Sequence, residues 1–299
     1  MKVFNGVHSP LSRSTGSLRT IMRIRSLLSA VGAAALGTAA YARFVEPRWI
    51  ERSHTRVPVS GLPPALDGFR IALLTDFHAG EHTPLARVRR ACRLAMEAQP
   101  HLIALTGDFV SQQTGAWLPD TVAALDEELR APLGVWAVPG NHDHIAGIDR
   151  YYRSVHRQPN IGDLTNEAIR REHDGASVRV VGIDTAHDGQ PHPAAAMEDA
   201  APADFTLLLT HNPDLAEDAC RAVGGADLVV SGHTHGGQVR LPFLGAVLNS
   251  AEHEGLYEAG LVRRPWAWVY VSRGIGTVRL PIRFLCRPEV AVLELVVSE

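Results

Sequence analysis

At 299 residues, with 45% apolar and 20% charged side chains, the chain is long enough for one substantial globular domain plus a small addition, and its composition excludes disorder. The formal net charge of −3 hides an asymmetry: residues 1–56 hold nine Lys/Arg against two Asp/Glu, leaving 20 against 30 for an acidic body poorly matched to nucleic acid. Cys92, Cys220 and Cys286 are odd in number and lack any Cys-x-x-Cys spacing, which argues against a disulfide framework or a cysteine-zinc site.

Residues 1–25 carry Lys2, Arg13, Arg19, Arg23 and Arg25 with no acid, and residues 26–42 form a 17-residue run without charge. These are an n-region and an h-region, and Ala40-Tyr41-Ala42 offers the small-x-small pattern of a signal-peptidase site. The run lies at the lower edge of membrane-span length. Arg43 follows at once, which favours a retained signal anchor over a cleaved signal peptide. The basic residues ahead of the run predict a body on the extracytoplasmic side of the inner membrane, or secreted if the segment is cleaved. Without an arginine pair ahead of it, a twin-arginine export signal is not supported. Residues 43–68, with Pro47, Pro58, Pro63 and Pro64, read as a linker into a domain over 69–299.

From there one theme repeats. Residues 70–75 form an apolar run that ends in Asp76-Phe77-His78, and a helix follows over about 84–98 with Leu85, Val88, Cys92 and Ala95 at helical spacing. Residues 101–106 end in Gly107-Asp108. A helix near 118–130 precedes the run 134–138, which ends in Pro139-Gly140-Asn141-His142-Asp143. A helix around 145–156 comes next, then a hairpin over 168–183 turning at Asp174-Gly175. Residues 205–210 end in His211-Asn212, a helix covers about 213–223, and the run 227–231 ends in Gly232-His233-Thr234-His235-Gly236-Gly237. Residues 268–272 and 289–297 read as two further strands. The pattern argues an α/β domain whose sheets are covered by helices.

Ligands of α/β sheets bind beyond the carboxyl ends of the strands. Here five strand ends carry Asp76 and His78, Asp108, Asn141 and His142, His211, and His233 and His235. In an extended segment His233 and His235 share one face. Neutral imidazole is the commonest side-chain metal ligand. Carboxylates, imidazoles and an amide oxygen suit Mn, Fe or Zn rather than a soft copper site. Seven ligand side chains exceed one tetrahedral ion, so two divalent ions are implied, one carboxylate being shared. Two ions about 3.5–4 Å apart clamp the attacking and leaving oxygens of a phosphoryl displacement and acidify a bridging water into the nucleophile.

The blocks Asp76-x-His78, Gly107-Asp108, Gly140-Asn141-His142-Asp143, His211 and Gly232-His233-Thr234-His235 resemble, in order and over nearly all of residues 70–240, the calcineurin-like metallophosphoesterases. The resemblance implies a four-layer α/β/β/α sandwich, with Asp76, His78 and His235 on one metal, Asn141, His211 and His233 on the other, and Asp108 bridging. It makes His142 the non-ligand histidine that hydrogen-bonds the phosphoryl group or protonates the leaving oxygen. The activity implied is dinuclear-metal-dependent hydrolysis of a phosphodiester or pyrophosphate bond. Segments 232–242, 271–277 and 283–289 further resemble a membrane-anchored bacterial branch that includes the UDP-2,3-diacylglucosamine hydrolases of lipid A synthesis, which makes that nucleotide-lipid an alternative substrate. Arg273 reads equally as a phosphate contact and as an ordinary strand-end arginine. Serine/threonine protein phosphatases of the family continue the second block as Gly-Asp-x-x-Asp-Arg-Gly, whereas Gly107-Asp108 runs into Phe109-Val110-Ser111-Gln112. A protein phosphatase is therefore not expected, and the carboxylate that orients the catalytic histidine is missing from its usual place.

A non-catalytic metal-binding scaffold is the rival reading, although the chain has lost none of the ligands. A zinc amidohydrolase gives no reason for the Gly140–Asp143 block. Because UDP-2,3-diacylglucosamine is made in the cytoplasm, that substrate conflicts with the topology read from the charges. His82 and His144, near two ligand loops, are open to a substrate or supporting role, while His101, His156 and His173 are expected at the surface. Trp266 and Trp268 fit either a membrane interface or packing between layers.

Overall fold

Period-two alternation in the apolar runs sets the architecture, because successive side chains of a strand face opposite sides of its sheet. The computed structural model describes residues 15–198, 200–247 and 257–298. In chain order its elements begin with helix α1 (Thr15–Ala40), β1 (Glu51–Ser60), β2 (Arg70–Leu74), α2 (Leu85–Met96), β3 (Leu102–Thr106), α3 (Leu118–Glu128), β4 (Val135–Val138) and α4 (Asn141–Val155). The order continues with β5 (Ile161–Asp163), β6 (Glu167–His173), β7 (Ala176–Gly182), β8 (Phe205–Leu209), α5 (Ala216–Ala222) and β9 (Leu228–Ser231). It closes with β10 (Arg240–Leu241), β11 (Gly245–Ala246), β12 (Gly260–Arg263), β13 (Trp268–Val271) and β14 (Glu289–Ser298). The chain divides between Tyr41 and Ala42 into two units, the first carrying α1 and the second every other element named here.

In the second unit, two six-stranded sheets run in the orders β1-β14-β2-β3-β4-β5 and β12-β13-β9-β8-β7-β6. Ile71 and Leu73 of β2 enter a core shared with Val178, Val180, Leu207, Leu209, Leu228 and Val230 of the other sheet. Ala72 and Leu74 point the opposite way, onto Val88, Cys92 and Ala95 of α2 and Leu118, Val122 and Leu125 of α3. On the outer face of the second sheet, Val181, Leu208, Val229 and Val269 pack with Ala216, Ala219 and Cys220 of α5. The result is the α/β/β/α sandwich, with all three cysteines buried and free. Parallel β2, β3 and β4 bring Asp76, Asp108 and Asn141 to one end of the first sheet, and parallel β8 and β9 bring His211 and His233 to one end of the second. The hairpin pairs His173 with Ala176, and Asp174 and Gly175 take φ of 48° and 86°, the two-residue turn that matches strand twist.

Residues 43–68 are not simply a linker. β1 occupies Glu51–Ser60 and pairs along its whole length with β14. It is an edge strand, bonded on one side only, so its exposed positions are polar and Pro58 is tolerated. Trp266 and Trp268 both pack against core clusters, and the Trp268 indole donates to the Pro58 carbonyl at 2.6 Å. His101 accepts from the Arg70 backbone N–H at 2.9 Å and stacks on Phe69, so it is part of the structure rather than a free surface group.

Buried Glu289 latches the sheets at β13 and β14. It accepts from the Tyr270 hydroxyl at 3.0 Å, the Arg273 backbone N–H at 3.0 Å and the Arg273 guanidinium at 3.1 Å, and Arg273 also reaches Glu51 of β1 at 3.0 Å. The sequence-based phosphate contact for Arg273 is thus replaced by two carboxylates. Burial pushes the Glu289 carboxyl up, but the Arg273 charge and hydrogen bonds outweigh it and hold it below the ordinary value of 4.5. The stabilisation is therefore present above about pH 4.5 and lost as pH falls through the lower native value. Arg273→Met, which strands a buried carboxylate, is expected to cost about 3 kcal/mol at neutral pH, with the deficit shrinking in acid. Urea unfolding of both proteins across pH 3–7 checks this, and a deficit independent of pH contradicts it.

Candidate metal centre

The loops beyond the strands hold their side chains through an unusual backbone. Asp76, His78, Asp108, His233 and His235 all take left-handed φ, at 52°, 43°, 53°, 69° and 53°. That conformation costs a residue with a Cβ about 1 kcal/mol or more and persists only where the surroundings over-determine it. Here pairing continues past the strand ends: the Asp76, His78 and Ala79 N–H groups donate to the carbonyls of Gly107, Asp108 and Phe109, each at 3.0 Å. A Cβ on Gly232 would overlap the Asp76 carboxylate, so glycine there is what lets the fifth loop close on the first.

The donors meet in three overlapping sets, Asp76, His78 and His235, then His78, Asp108 and His142, then Asp76, Asp108 and His211, each with ligand atoms within 4.8 Å of one another. Asp108 Oδ2 stands between them, 3.4 Å from His78 Nε2 and 3.3 Å from His211 Nε2. His235 Nε2 lies 3.3 Å from Asp76 Oδ1 and 3.0 Å from His78 Nε2, and His233 Nδ1 lies 3.2 Å from His211 Nε2. Donors bound at about 2.0–2.2 Å to one ion lie ~3.0–3.5 Å apart, so these spacings are those of a coordination shell. Asn141 Oδ1 is buried without a hydrogen-bond partner, an orphan acceptor of the kind a cation satisfies. The ring nitrogens turned away from the centre are held: His211 Nδ1 donates to the Thr106 carbonyl at 2.7 Å, and His78 Nδ1 meets Ser111 Oγ at 3.0 Å. Six of the seven residues expected as ligands meet at these distances, Asn141 offers a buried unpartnered oxygen, and the donor types fit divalent ions.

The electrostatics agree. Burial pushes His78 and His233 down to about 3 and holds His235 well below its ordinary value, leaving these rings in the neutral, ligating form. Burial raises Asp76 to about 6, against His211 and with Asp108. For Asp108 burial also acts upward, but His211, His78 and His142 outweigh it and hold the carboxyl well below the usual range. Burial opposes charge on His211 too, yet the Asp108 carboxylate raises it to about 9. A proton on His211 thus balances the carboxylates, and a bound cation displaces it.

His142 lies beside the centre. Its backbone N–H donates to Asp108 Oδ1 at 2.9 Å, and its ring meets His78 edge-on at 4.9 Å. Its Nδ1 has no partner among the described residues, and Asp143 does not orient it. Instead Asp143 turns away: Oδ1 accepts from the Phe109 and Val110 N–H groups at 3.0 and 3.4 Å, and Oδ2 from the Gly140 N–H at 2.9 Å, tying the second loop to the third. His144 bonds Asp184 at 2.7 Å, whereas His82 is exposed. Sequence reasoning missed Arg283, a fully buried guanidinium that donates to the carbonyls of Arg273, Gly276 and Cys286 and lies 3.4 Å from His235 Nδ1. It underpins the His235 loop, a role that its place at the head of segment 283–289 did not reveal.

Asp143→Ala leaves three buried N–H groups without an acceptor and is expected to cost about 3 kcal/mol and to weaken metal affinity by loosening Asp108. Asp143→Asn, which keeps one acceptor oxygen, recovers part of both. Thermal unfolding with metal titration checks this, and wild-type values in Asp143→Ala contradict it.

Residues 69–237 match the calcineurin-like phosphoesterase family. The chain is 31% identical over 281 residues to an uncharacterised metallophosphoesterase, YkuE, of Bacillus subtilis, covering 91% of this chain and 96% of that one. It is 33% identical over 262 residues to the phosphodiesterase YaeI of Escherichia coli, covering 86% and 92%. It is 25% identical over 323 residues to the UDP-2,3-diacylglucosamine pyrophosphatase LpxG of Chlamydia trachomatis, covering 90% and 96%. With this match and the buried Asp/His cluster, the chain belongs to the calcineurin-like phosphoesterases, a family of hydrolases.

Proposed function

We propose that the chain is a dinuclear metal-dependent phosphodiesterase, held at a membrane by its N-terminal helix. Asp108 carries the reading: one carboxylate oxygen stands within 3.4 Å of an imidazole from each half of the donor set. Asp76, His78 and His235 would hold one ion and Asn141, His211 and His233 the other, with Asp108 shared between them. Divalent Mn, Fe or Zn bound there would supply Lewis acidity toward phosphoryl oxygens and a water nucleophile at neutral pH. His142, registered on Asp108 through its backbone, gives a proton to the leaving oxygen. The intact donor set favours this over a non-catalytic scaffold.

The helical stretch from Met22 to Arg48 contains an 18-residue window of mean hydropathy 1.3 that is almost wholly exposed, which supports a retained anchor. The five basic residues ahead of residue 26 support a body on the extracytoplasmic side. Similarity to LpxG over 90% of the chain favours a second reading, cleavage of UDP-2,3-diacylglucosamine, which requires the opposite side.

The full chain in detergent, stripped and reloaded with Mn, is expected to hydrolyse an aryl phosphodiester. Greater turnover of UDP-2,3-diacylglucosamine selects the second reading. His142→Ala is expected to keep both ions and lose ~10²–10⁴ in kcat. Asp108→Ala is expected to lose metal and activity together, and undiminished turnover in that variant contradicts the mechanism.

A further inference from the structure

Outside the metal centre, three arginines converge on one pocket. Arg43, Arg48 and Arg87 line a pocket of about 160 Å³ with Pro47, Glu81, His82, Pro84, Thr277 and Pro281. Among the described residues none of the three arginines forms an ion pair, Glu81 included: Arg87 donates to the His82 carbonyl at 2.9 Å, Arg48 to the Phe44 carbonyl, and Arg43 stacks on the Phe44 ring at 5.0 Å. Burial first, and then the charges of Arg48, Arg283 and Arg43, push Arg87 down to about 10. Helix α2 also begins there, with Pro84 at its amino end and no side-chain cap. Uncapped N–H groups beside guanidinium forks form an anion site suited to a phosphate monoanion or diester.

What surrounds the pocket identifies the source of the phosphate. Phe44, Val45, Trp49 and Leu280 adjoin its walls and are 57%, 46%, 49% and 62% exposed. Trp49 lies under the Arg287 guanidinium at 3.7 Å. Exposed aromatic rings interleaved with arginines belong to the headgroup layer of a bilayer. Two of the pocket's arginines, Arg43 and Arg48, lie in the π-helical and 3-10 turns, Tyr41–Val45 and Glu46–Arg48, that extend the helical stretch beyond α1. The acidic body therefore carries a local basic surface where the chain enters it.

We infer that this pocket binds the phosphate of an anionic phospholipid in the membrane that the N-terminal helix enters, docking the globular body on the bilayer. The inference rests on the anchor proposed above. Segment 276–283 forms one wall of the pocket and also carries Arg283 beneath His235, so docking sets the metal centre beside the headgroup layer.

The test uses the full chain in lipid nanodiscs of phosphatidylcholine, with and without phosphatidylglycerol. Hydrogen exchange is read at residues 42–49 and 277–285, and turnover of a soluble aryl phosphodiester in the same samples. Phosphatidylglycerol is expected to slow exchange in both segments roughly tenfold. Arg43→Glu/Arg48→Glu, whose side chains lie outside the core, is expected to abolish that slowing while keeping wild-type turnover of the soluble diester, and Arg87→Gln to reduce it. Equal exchange in the two lipids overturns the inference. So does the same slowing on adding inorganic phosphate to phosphatidylcholine discs, which marks a soluble-anion site. A chain recovered outside the discs overturns the anchor and the pocket together. Absent turnover with intact lipid-dependent protection overturns the hydrolase reading alone and supports the pocket.

Discussion

The site is built around the Asp108 carboxylate, which is asked to do three things at once. Its Oδ1 takes the backbone N–H of His142, its Oδ2 faces His78, and the same oxygen faces His211 from the other sheet. Loops from both sheets therefore converge on one buried anion. With no compensating charge such an arrangement is costly, since ionised groups out of water must be paired or neutralised. A proton on His211 meets that requirement in the absence of a cation. The left-handed backbone at Asp76, His78, Asp108, His233 and His235 is the local strain that the convergence demands.

Support for this centre comes from groups that touch no donor directly or only at long range. Asp143 gathers N–H groups from two loops, and Arg283 gathers carbonyls beneath His235. Each satisfies backbone that irregular loops leave unpaired in a dry interior. Beside this centre, at the carboxyl end of β13, the Glu289–Arg273–Glu51 set joins the edge strand to the rest. Buried charge thus recurs wherever the two sheets have to be held in register beyond their ladders.

The donors were readable because each directly follows an apolar run, and a strand that stops at a site leaves its chemistry at a fixed place in the sequence. The sandwich was readable for the same reason: five-residue runs alternate between a sheet–sheet core and a sheet–helix core, as Ile71 and Ala72 do. β1 was not readable, since an edge strand with Arg52, His54 and Arg56 facing water and polar Ser53 and Thr55 half-buried on the other face lacks the apolar alternation that marks its neighbours. The part played by Asp143 was hidden because a sequence places it beside His142, whereas the first turn of α4 sends the two side chains different ways. Arg283 and Arg273 were hidden because their partners are backbone groups and glutamates distant in the chain.

The central claim, that one carboxylate holds two ions, is tested most directly by electron paramagnetic resonance of the protein titrated with Mn. The account predicts that a spin-coupled dimanganese signal grows in and saturates at two ions per chain, and that Asp108→Asn fails to produce it. An uncoupled single-ion spectrum saturating at one equivalent would contradict it.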